Sequence, residues 1–198
     1  MKLDQGQIEK AFRLLSRQLS LRNSGPFCLV VCGGSALIGA ELVSRTTKDV
    51  DVVALLTADG MLADPEPLPA KLLDAAATVA GELDLPPDWL NNGPSSDDGG
   101  LFRMGLPDGL APRLSRREFG PQLTVCFISR LDQIFFKLYA AVDRGGYHTE
   151  DLRALSPSAD ELLAAARWTM THDVSEGFRM VLTSFLRELG YESVAEKL

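Results

Sequence analysis

The sequence predicts an α+β fold with a helical C-terminal part. Two apolar, strand-like runs near the N-terminus flank a short helical segment, and a third such run lies at residues 122–129. Every predicted element beyond residue 130 instead repeats its apolar residues with the period of a helix. A strand–helix–strand start, a long middle, one more strand and then only helices is typical of a fold in which the helices are segregated from the sheet.

The first part of the chain is predicted to hold three strands and three helices. A helix at residues 5–21 is indicated by apolar residues on one face, namely Ile8, Phe12, Leu15 and Leu19. The other elements are strands at 27–31, 49–56 and 122–129, helices at 35–43 and 70–83, and loops at 58–69 and 91–100. We interpret the loop at 91–100 as a flexible solvent loop and Trp89, just before it, as a core anchor.

Four helices are predicted in the second part. The helix at 130–144 has the clearest apolar pattern, and Gly145-Gly146 ends it. Three more follow at 149–155, 158–170 and 174–190, with Ser158 and Ser175 as N-caps of the last two. We therefore divide the chain into an α/β core at residues 1–129 and a helical C-terminal subdomain, residues 130–198, packed on that core.

Charge limits the classes of partner. A formal net charge of −7 disfavours a general nucleic-acid-binding protein, which would be basic. Only residues 101–147 are net positive, with 7 basic and 4 acidic side chains, so an RNA substrate would have to dock there. Alternatively, Arg116 and Arg117 of this stretch are solvated loop charges.

Cysteine and hydropathy patterns indicate the compartment. Cys28, Cys32 and Cys126 lie in apolar strand-like runs without the spacing of a disulfide framework, which predicts a reducing cytoplasm. The two histidines are far apart, which excludes a His-rich zinc site. No apolar run approaches the ~18 residues that a membrane span needs, and the polar first residues are no secretory signal. We expect a cytoplasmic protein with no membrane partner.

Asp49 and Asp51 are candidate metal ligands. They are separated by one residue at the start of a predicted strand, so their side chains project from the same face. Two adjacent carboxylates repel each other unless a cation lies between them, and Mg²⁺ binds through one or two carboxylates and the phosphates of a substrate. The alternative is a pair of strand-end acids on the surface, but acids within an apolar strand are costly unless something binds them.

A glycine turn precedes this pair. Gly33, Gly34 and Ser35 follow the first strand and lead into the short helix. Glycine allows close approach of the backbone to a ligand, and free N–H groups at a helix start attract anions. Ser35 has an alternative role as a helix N-cap, and the two roles are compatible. An anion-binding turn followed by paired metal ligands is typical of phosphoryl-transfer chemistry.

These residues resemble the signature of the DNA polymerase beta-like nucleotidyltransferases. In that superfamily a hydrophobic residue and Gly-Gly or Gly-Ser are followed, after a short spacer, by Asp-hydrophobic-Asp-hydrophobic, as in residues 32–35 and 49–52 here. The run at 45–51 is similar to that of one bacterial branch, the AbiEii-like toxins and related nucleotidyltransferase-like proteins. Residues 137–144 resemble its Lys-Leu-x-Ala-x-x-x-Arg motif, and residues 150–152 its Asp-Leu motif. Trp-Leu-Asn, ending at residue 91, also recurs in that branch.

The resemblance implies roles for the first two blocks. Gly33, Gly34 and Ser35 would hold nucleotide phosphates, and Asp49 and Asp51 would bind Mg²⁺. It also implies a nucleotidyltransferase-like fold, a small mixed sheet flanked by helices.

The later blocks would complete the site. The resemblance implies that Lys137 and Arg144 contact nucleotide phosphates and that Asp151 serves the acceptor. As alternatives, Lys137 snorkels from the flank of its helix, and Asp151 interacts favourably with the start of a helix. Many members of the superfamily supply a third carboxylate from a later strand, whereas residues 123–129 contain no acid, which leaves a pseudoenzyme open.

The implied function is Mg²⁺-dependent transfer of a nucleoside monophosphate from an NTP to an acceptor, with release of pyrophosphate. The acceptor would be tRNA, another RNA or a protein side chain, and the enzyme would be the toxin of a toxin–antitoxin or abortive-infection system with a cognate antitoxin. Two alternatives remain. One is a catalytically inert member that binds nucleotide or a partner, and the other is a nucleotidyltransferase that modifies an aminoglycoside antibiotic.

Overall fold

The structure is a computed structural model that describes residues 3–39 and 46–198. It confirms an α+β fold with a helical C-terminal part. The chain divides into two compact units, Met1–Ser129 and Arg130–Leu198. The predicted boundary lies at the same residue. No helix in the described ranges is both long and apolar enough to span a bilayer.

The sheet of the first unit has six strands within the described part of the chain. They are β1 (Phe27–Cys32), β2 (Val50–Leu56), β3 (Leu62–Ala63), β4 (Leu90–Asn91), β5 (Ser115–Glu118) and β6 (Leu123–Phe127). Their order is β3-β2-β1-β6-β5, and β4 pairs with β2 away from this path. The central strand β1 is antiparallel to β2 and parallel to β6, so the sheet is mixed.

The helices of the first unit cover this sheet. They are α1 (Gln5–Leu21), α2 (Gly33–Gly39), α3 (Ala70–Leu83) and α4 (Leu101–Met104). A capping box between Asp4 and Gln7 begins α1. In the core, the Phe12 ring of α1 lies 4.9 Å from that of Phe119 and 6.4 Å from that of Trp89. Trp89 is fully buried and donates from Nε1 to the carbonyl of Ala76, as expected of a core anchor.

The second unit contains only helices in the described residues. They are α5 (Arg130–Arg144), α6 (Tyr147–Ala154), α7 (Ala159–His172), α8 (Glu176–Glu188) and α9 (Glu192–Ala195). The N-caps predicted at Ser158 and Ser175 are confirmed, since each hydroxyl accepts a bond from an N–H of its helix. Arg130 donates to Glu161 and to the carbonyl of Leu155, so it joins α5 to the start of α7.

Several local predictions were wrong. The loop at 91–100 is not a plain solvent loop, because Ser95 is fully buried and its hydroxyl donates to Val53 of β2. Arg116 and Arg117 lie on β5, a mostly exposed edge strand without apolar residues, rather than in a loop. The helix predicted at 35–43 begins at Gly33, and residues 40–43 of that prediction lie outside the described residues.

Candidate functional site

Asp51 lies at the point where three strands meet. The backbone of Asp51 is paired with Cys32, the last residue of β1, and with Asn91 of β4 on its other side. Directly paired residues on adjacent strands present their side chains to the same face of a sheet. The start of β2 therefore carries a carboxylate, flanked by the thiol of Cys32 and the amide side chain of Asn91.

The carboxylate of Asp51 rests against the glycine turn. Gly33 follows β1 directly and has φ +67°, a conformation that side-chain-bearing residues rarely adopt. A Cβ atom added to Gly33 would lie 2.6 Å from Oδ2 of Asp51, closer than such contacts allow. Only glycine leaves room for this approach. The two halves of the predicted motif are thus in contact in the folded chain.

Asp49 lies just before β2 and is held by its own turn. The Thr47 hydroxyl donates to the Asp49 carbonyl at 3.3 Å and lies 3.4 Å from its Oδ1. Thr47 is itself bound to Leu3 by two backbone hydrogen bonds, which anchor this turn on the segment before α1. Asp49 and Asp51 are both half-buried; Asp49 directly precedes β2, and Asp51 is its second residue. That their side chains project from the same side stays a prediction.

Ser35 has a different position from the one predicted. Because α2 begins at Gly33, Ser35 lies within the first turn and is not an N-cap. Its side chain is fully buried, and its hydroxyl donates to the carbonyl of Cys32 at 3.2 Å. The observed role of Ser35 is to close the turn between β1 and α2. Contact between this hydroxyl and a phosphate stays a prediction.

The pair of carboxylates at the start of β2, Asp49 and Asp51, suits Mg²⁺. The two carboxylates are hard oxygen ligands, and that of Asp51 lies against the backbone of Gly33. Among the described residues, no group of three His, Cys, Asp or Glu side chains is arranged to hold a metal. A pair of carboxylates still fits Mg²⁺, since this ion takes its remaining ligands from water and substrate phosphates. Asp49 and Asp51 would be its protein ligands.

In the second unit, Lys137 and Asp151 form a buried ion pair. Nζ of Lys137 lies 2.6 Å from Oδ2 of Asp151, and each side chain is 5% exposed. The ammonium also lies 5.6 Å from the centre of the Tyr147 ring. The structure therefore brings these two candidate residues together. Lys137 does not snorkel to solvent, and Asp151 lies in the middle of α6, so an interaction with the helix start does not explain it.

Arg130, Lys137 and Arg144 are spaced by seven residues along α5 but do not form a basic surface. The Arg130 guanidinium is bound to Glu161 and lowers the pKa of that carboxyl. Arg144 is 73% exposed and pairs with its neighbour Asp143. A nucleotide contact by Arg144 stays a prediction. Of the three, only Lys137 is buried.

Two residues that contact or pair with Asp49 and Asp51 were not identified from the sequence. Thr47 holds Asp49, and Asn91 lies beside Asp51 on β4. The Asn91 side chain accepts a bond from the N–H of Gly93 and thereby shapes the turn after β4. The recurrent Trp-Leu-Asn was a signal for Asn91. The pairing of a two-residue strand with β2 is a long-range contact that no local pattern indicates.

Comparison with protein-family models, with curated proteins and with solved structures returns no match to this chain. The family resemblance therefore stays a prediction.

The contact between Gly33 and Asp51 predicts the effect of Gly33→Ala. We expect the left-handed backbone alone to cost about 1–2 kcal/mol of unfolding free energy, and the clash with Asp51 to add to it. Gly60→Ala is the matched control, because Gly60 has φ +81° but no atom within 4 Å of the place that a Cβ would take. In urea denaturation, Gly33→Ala should lose more stability than Gly60→Ala. Combining Gly33→Ala with Asp51→Ala should remove this additional loss, because the clashing carboxylate is gone. Equal losses would contradict the contact.

The buried ion pair predicts non-additive substitutions. Lys137→Met or Asp151→Leu alone leaves an uncompensated buried charge and should cost about 3–5 kcal/mol of unfolding free energy. The double variant, with apolar side chains at both positions, should be close to wild type. Arg144→Met removes an exposed pair and should cost at most about 1 kcal/mol. Additive losses in the double variant would show that the two side chains do not stabilise each other.

Proposed function

We propose that this protein is a Mg²⁺-dependent nucleotidyltransferase that transfers a nucleoside monophosphate from an NTP to an acceptor. An acceptor oxygen attacks the α-phosphorus, the bond from that phosphorus to the bridging oxygen breaks, and pyrophosphate leaves with the bonding electrons. Such reactions depend mainly on positioning and on electrostatic stabilisation. Few protein groups are therefore required, provided that they are held firmly.

One observation supports this proposal: the carboxylate of Asp51 lies against the Gly33 turn, and Asp49 is two residues away along the chain. A phosphate that approaches this turn meets the backbone of Gly33 and the Asp51 carboxylate that lies against it. The same phosphate would then lie beside two carboxylates, an arrangement that is repulsive without a divalent cation and favourable with one.

Each candidate site residue of the first unit has a role in the proposed reaction. Asp49 and Asp51 would hold the metal, and the backbone N–H groups of Gly33 and Gly34 would face the triphosphate at the turn. When bound, Mg²⁺ neutralises charge that develops on the triphosphate and the departing pyrophosphate. Ser35 fixes the backbone of the turn through its bond to Cys32. The bridge between Thr47 and Leu3 holds Asp49 in place before the substrate arrives.

Lys137 and Asp151 enter the proposal through the family resemblance. Lys137 would neutralise phosphate charge, and Asp151 would orient the acceptor hydroxyl and take its proton. Their mutual ion pair instead supports a role in stability alone, because the ammonium of Lys137 already binds the carboxylate of Asp151. The stable double variant Lys137→Met/Asp151→Leu separates the two roles. Loss of transfer in this variant supports a part in the reaction, and full activity assigns the pair to stability.

The charge distribution favours a protein acceptor over RNA. The segment 101–147 is net positive in sequence, but three of its arginines are held in ion pairs with acids of their own unit that lie outside the segment. These pairs are Arg103–Asp64, Arg117–Glu9 and Arg130–Glu161. Their charge is in part neutralised, so the protein offers less attraction to a polyanion than its sequence suggests. We therefore place a protein hydroxyl ahead of tRNA or another RNA as the acceptor.

The biological setting follows from the same resemblance. A toxin that modifies a cellular protein or RNA in the cytoplasm and is restrained by a cognate antitoxin is the setting we propose. All three cysteines are thiols rather than disulfides, as is typical of a reducing compartment. Growth arrest on induced expression, relieved by Asp49→Ala, is the result that separates this setting from an aminoglycoside-modifying enzyme.

A second candidate function is nucleotide binding without turnover. It is favoured by the absence of acids from β6, where many superfamily members carry a third metal ligand, and by the pairing of Lys137 with Asp151. Saturable binding of Mg²⁺ and NTP in calorimetry, without transfer to protein or RNA, would establish this candidate in place of the first.

The proposal predicts that Asp51→Asn abolishes transfer. The purified protein is incubated with Mg²⁺, a cell lysate or total RNA, and each of the four NTPs labelled at the α-phosphate. The wild type should label a protein band or an RNA, and Asp51→Asn should reduce labelling by more than about 100-fold, because a charge-stabilising group is lost. Addition of EDTA to the wild type should have the same effect.

Asp74→Asn is the control for this experiment. Asp74 lies exposed on α3, and its replacement removes the same charge from the same unit without touching the Gly33 turn. Circular dichroism and thermal melting verify that each variant is folded. Labelling by Asp51→Asn at the level of Asp74→Asn would contradict the assignment of the site.

A further inference from the structure

Two cysteines lie side by side in the sheet of the first unit, away from the Gly33 turn. Cys28 is near the start of β1, and Cys126 is on β6. Their sulfur atoms are 3.5 Å apart, a distance at which one thiol donates a hydrogen bond to the other sulfur. Both thiols are free. The nucleotidyltransferase reaction proposed above uses neither of them.

The strand register explains why these thiols meet. β1 and β6 are parallel, with Cys28 opposite Thr124 and Val30 opposite Cys126. The two cysteines are therefore offset by two positions, and side chains two positions apart lie on the same face of a sheet. On the next strand, β5, Arg116 is directly opposite Cys126. The result is a row of two thiols and a guanidinium across three strands.

The two thiols differ in exposure and in acidity. Cys28 is half-buried, whereas Cys126 is 1% exposed. The hydrogen bond from Cys126 lowers the pKa of Cys28 to about 7, against the opposite effect of burial, and the charge of Arg116 contributes to the lowering. The same hydrogen bond and burial raise the pKa of Cys126. Cys28 is thus suited to react as a thiolate, and Cys126 to remain a thiol until attacked from within.

We propose that Cys28 and Cys126 form a redox-active dithiol that closes to an intramolecular disulfide when the protein meets a peroxide. The Cys28 thiolate attacks one peroxide oxygen, the O–O bond breaks, and the second oxygen leaves as hydroxide, which takes up a proton to form water. Cys28 is then a sulfenic acid. The Cys126 sulfur attacks the Cys28 sulfur, the S–O bond breaks, and a second water leaves with the Cys126 proton. Two thiols are oxidised and one peroxide is reduced to two waters.

The geometry indicates that this disulfide is easily reduced again. The sulfurs must approach from 3.5 Å to a bond length of about 2.05 Å. The offset of two positions places the two backbones farther apart than those of directly opposed residues. We therefore expect closure of the bond to strain the pairing of β1 with β6. A disulfide that strains its surroundings is more oxidising and is readily reopened by a dithiol.

The dithiol is tested by counting thiols. The fully reduced protein is treated with hydrogen peroxide, quenched, denatured, and titrated with a thiol reagent. Wild-type protein should fall from three thiols to one and return to three after dithiothreitol. It should remain monomeric in non-reducing electrophoresis. Three thiols retained after treatment, or covalent dimers in place of an internal disulfide, would overturn the proposal.

Two variants identify the partners. Cys32→Ser should fall from two thiols to none, because the reacting pair is intact. Cys28→Ser should keep both remaining thiols out of a disulfide. Disulfide loss in Cys32→Ser, or disulfide formation in Cys28→Ser, contradicts the assignment.

Peptide mapping of the oxidised wild type provides an answer that does not depend on the folding of a variant. Trypsin leaves Cys28 and Cys32 together in the peptide 23–45 and Cys126 in the peptide 118–130. Mass-spectrometric fragmentation between residues 28 and 32 locates the link. A link from Cys126 to Cys28 supports the dithiol, and a link to Cys32, or no link at all, overturns it.

Discussion

The candidate site depends on one close approach, that of the Asp51 carboxylate to the backbone of Gly33. Two features produce this approach, the first being the turn at Gly33. The left-handed conformation of Gly33 turns the chain sharply after β1, and the missing side chain leaves the space that Oδ2 of Asp51 borders. The second feature is the register between β1 and β2. The pairing shifts between Val30 and Val31, where Val53 of β2 is an extra residue. Without this bulge, Asp51 would pair one position farther along β1.

A bulge of this kind determines which side chains reach a site. A shift by one residue in a strand moves its side chains to the opposite face. Bulges are often found beside functional sites because they re-aim a side chain without disturbing the rest of the sheet. In this protein the bulge at Val53 follows Asp51 closely along β2, and the apolar residues Val52 and Val53 remain buried. The strand therefore keeps its core contacts while its first residues present carboxylates.

Much of the secondary structure could be predicted from the sequence because local patterns carry it. The helices α1, α3 and α5 have the predicted bounds, since each has a regular apolar stripe and a clear end. β4 and β5 could not be predicted in this way. β4 has two residues, and β5 is an exposed edge strand of polar residues, so neither shows an alternating pattern. Both exist because of pairing with distant strands.

The same division applies to the candidate site. The motif of Gly33, Asp49 and Asp51 is visible in the sequence, and the structure adds the contact that joins its parts. The ion pair between Lys137 and Asp151 could not be derived from helical periodicity, which placed Lys137 on the flank of its helix. Lys137 is buried instead, and a buried charge requires a partner. Likewise, the fully buried hydroxyl of Ser35 serves the turn, a detail that depends on where α2 begins.

The two units thus contain polar groups whose positions are costly to maintain. Burial of a charged pair, a left-handed turn and half-buried acids all lower stability unless packing or a ligand compensates for them. In the second unit the pair compensates itself. In the first unit, we propose that a divalent cation compensates for the charges of Asp49 and Asp51. Metal binding is therefore the central claim of this account.

That claim is tested most directly by electron paramagnetic resonance of Mn²⁺, a stand-in for Mg²⁺ with the same preference for oxygen ligands. The signal of free Mn²⁺ is followed as wild-type protein, Asp49→Asn and Asp51→Asn are added in the presence of a non-hydrolysable NTP. The account predicts that the wild type removes Mn²⁺ from solution beyond what the nucleotide alone removes, and that neither variant does so. Equal binding by the wild type and both variants would contradict it.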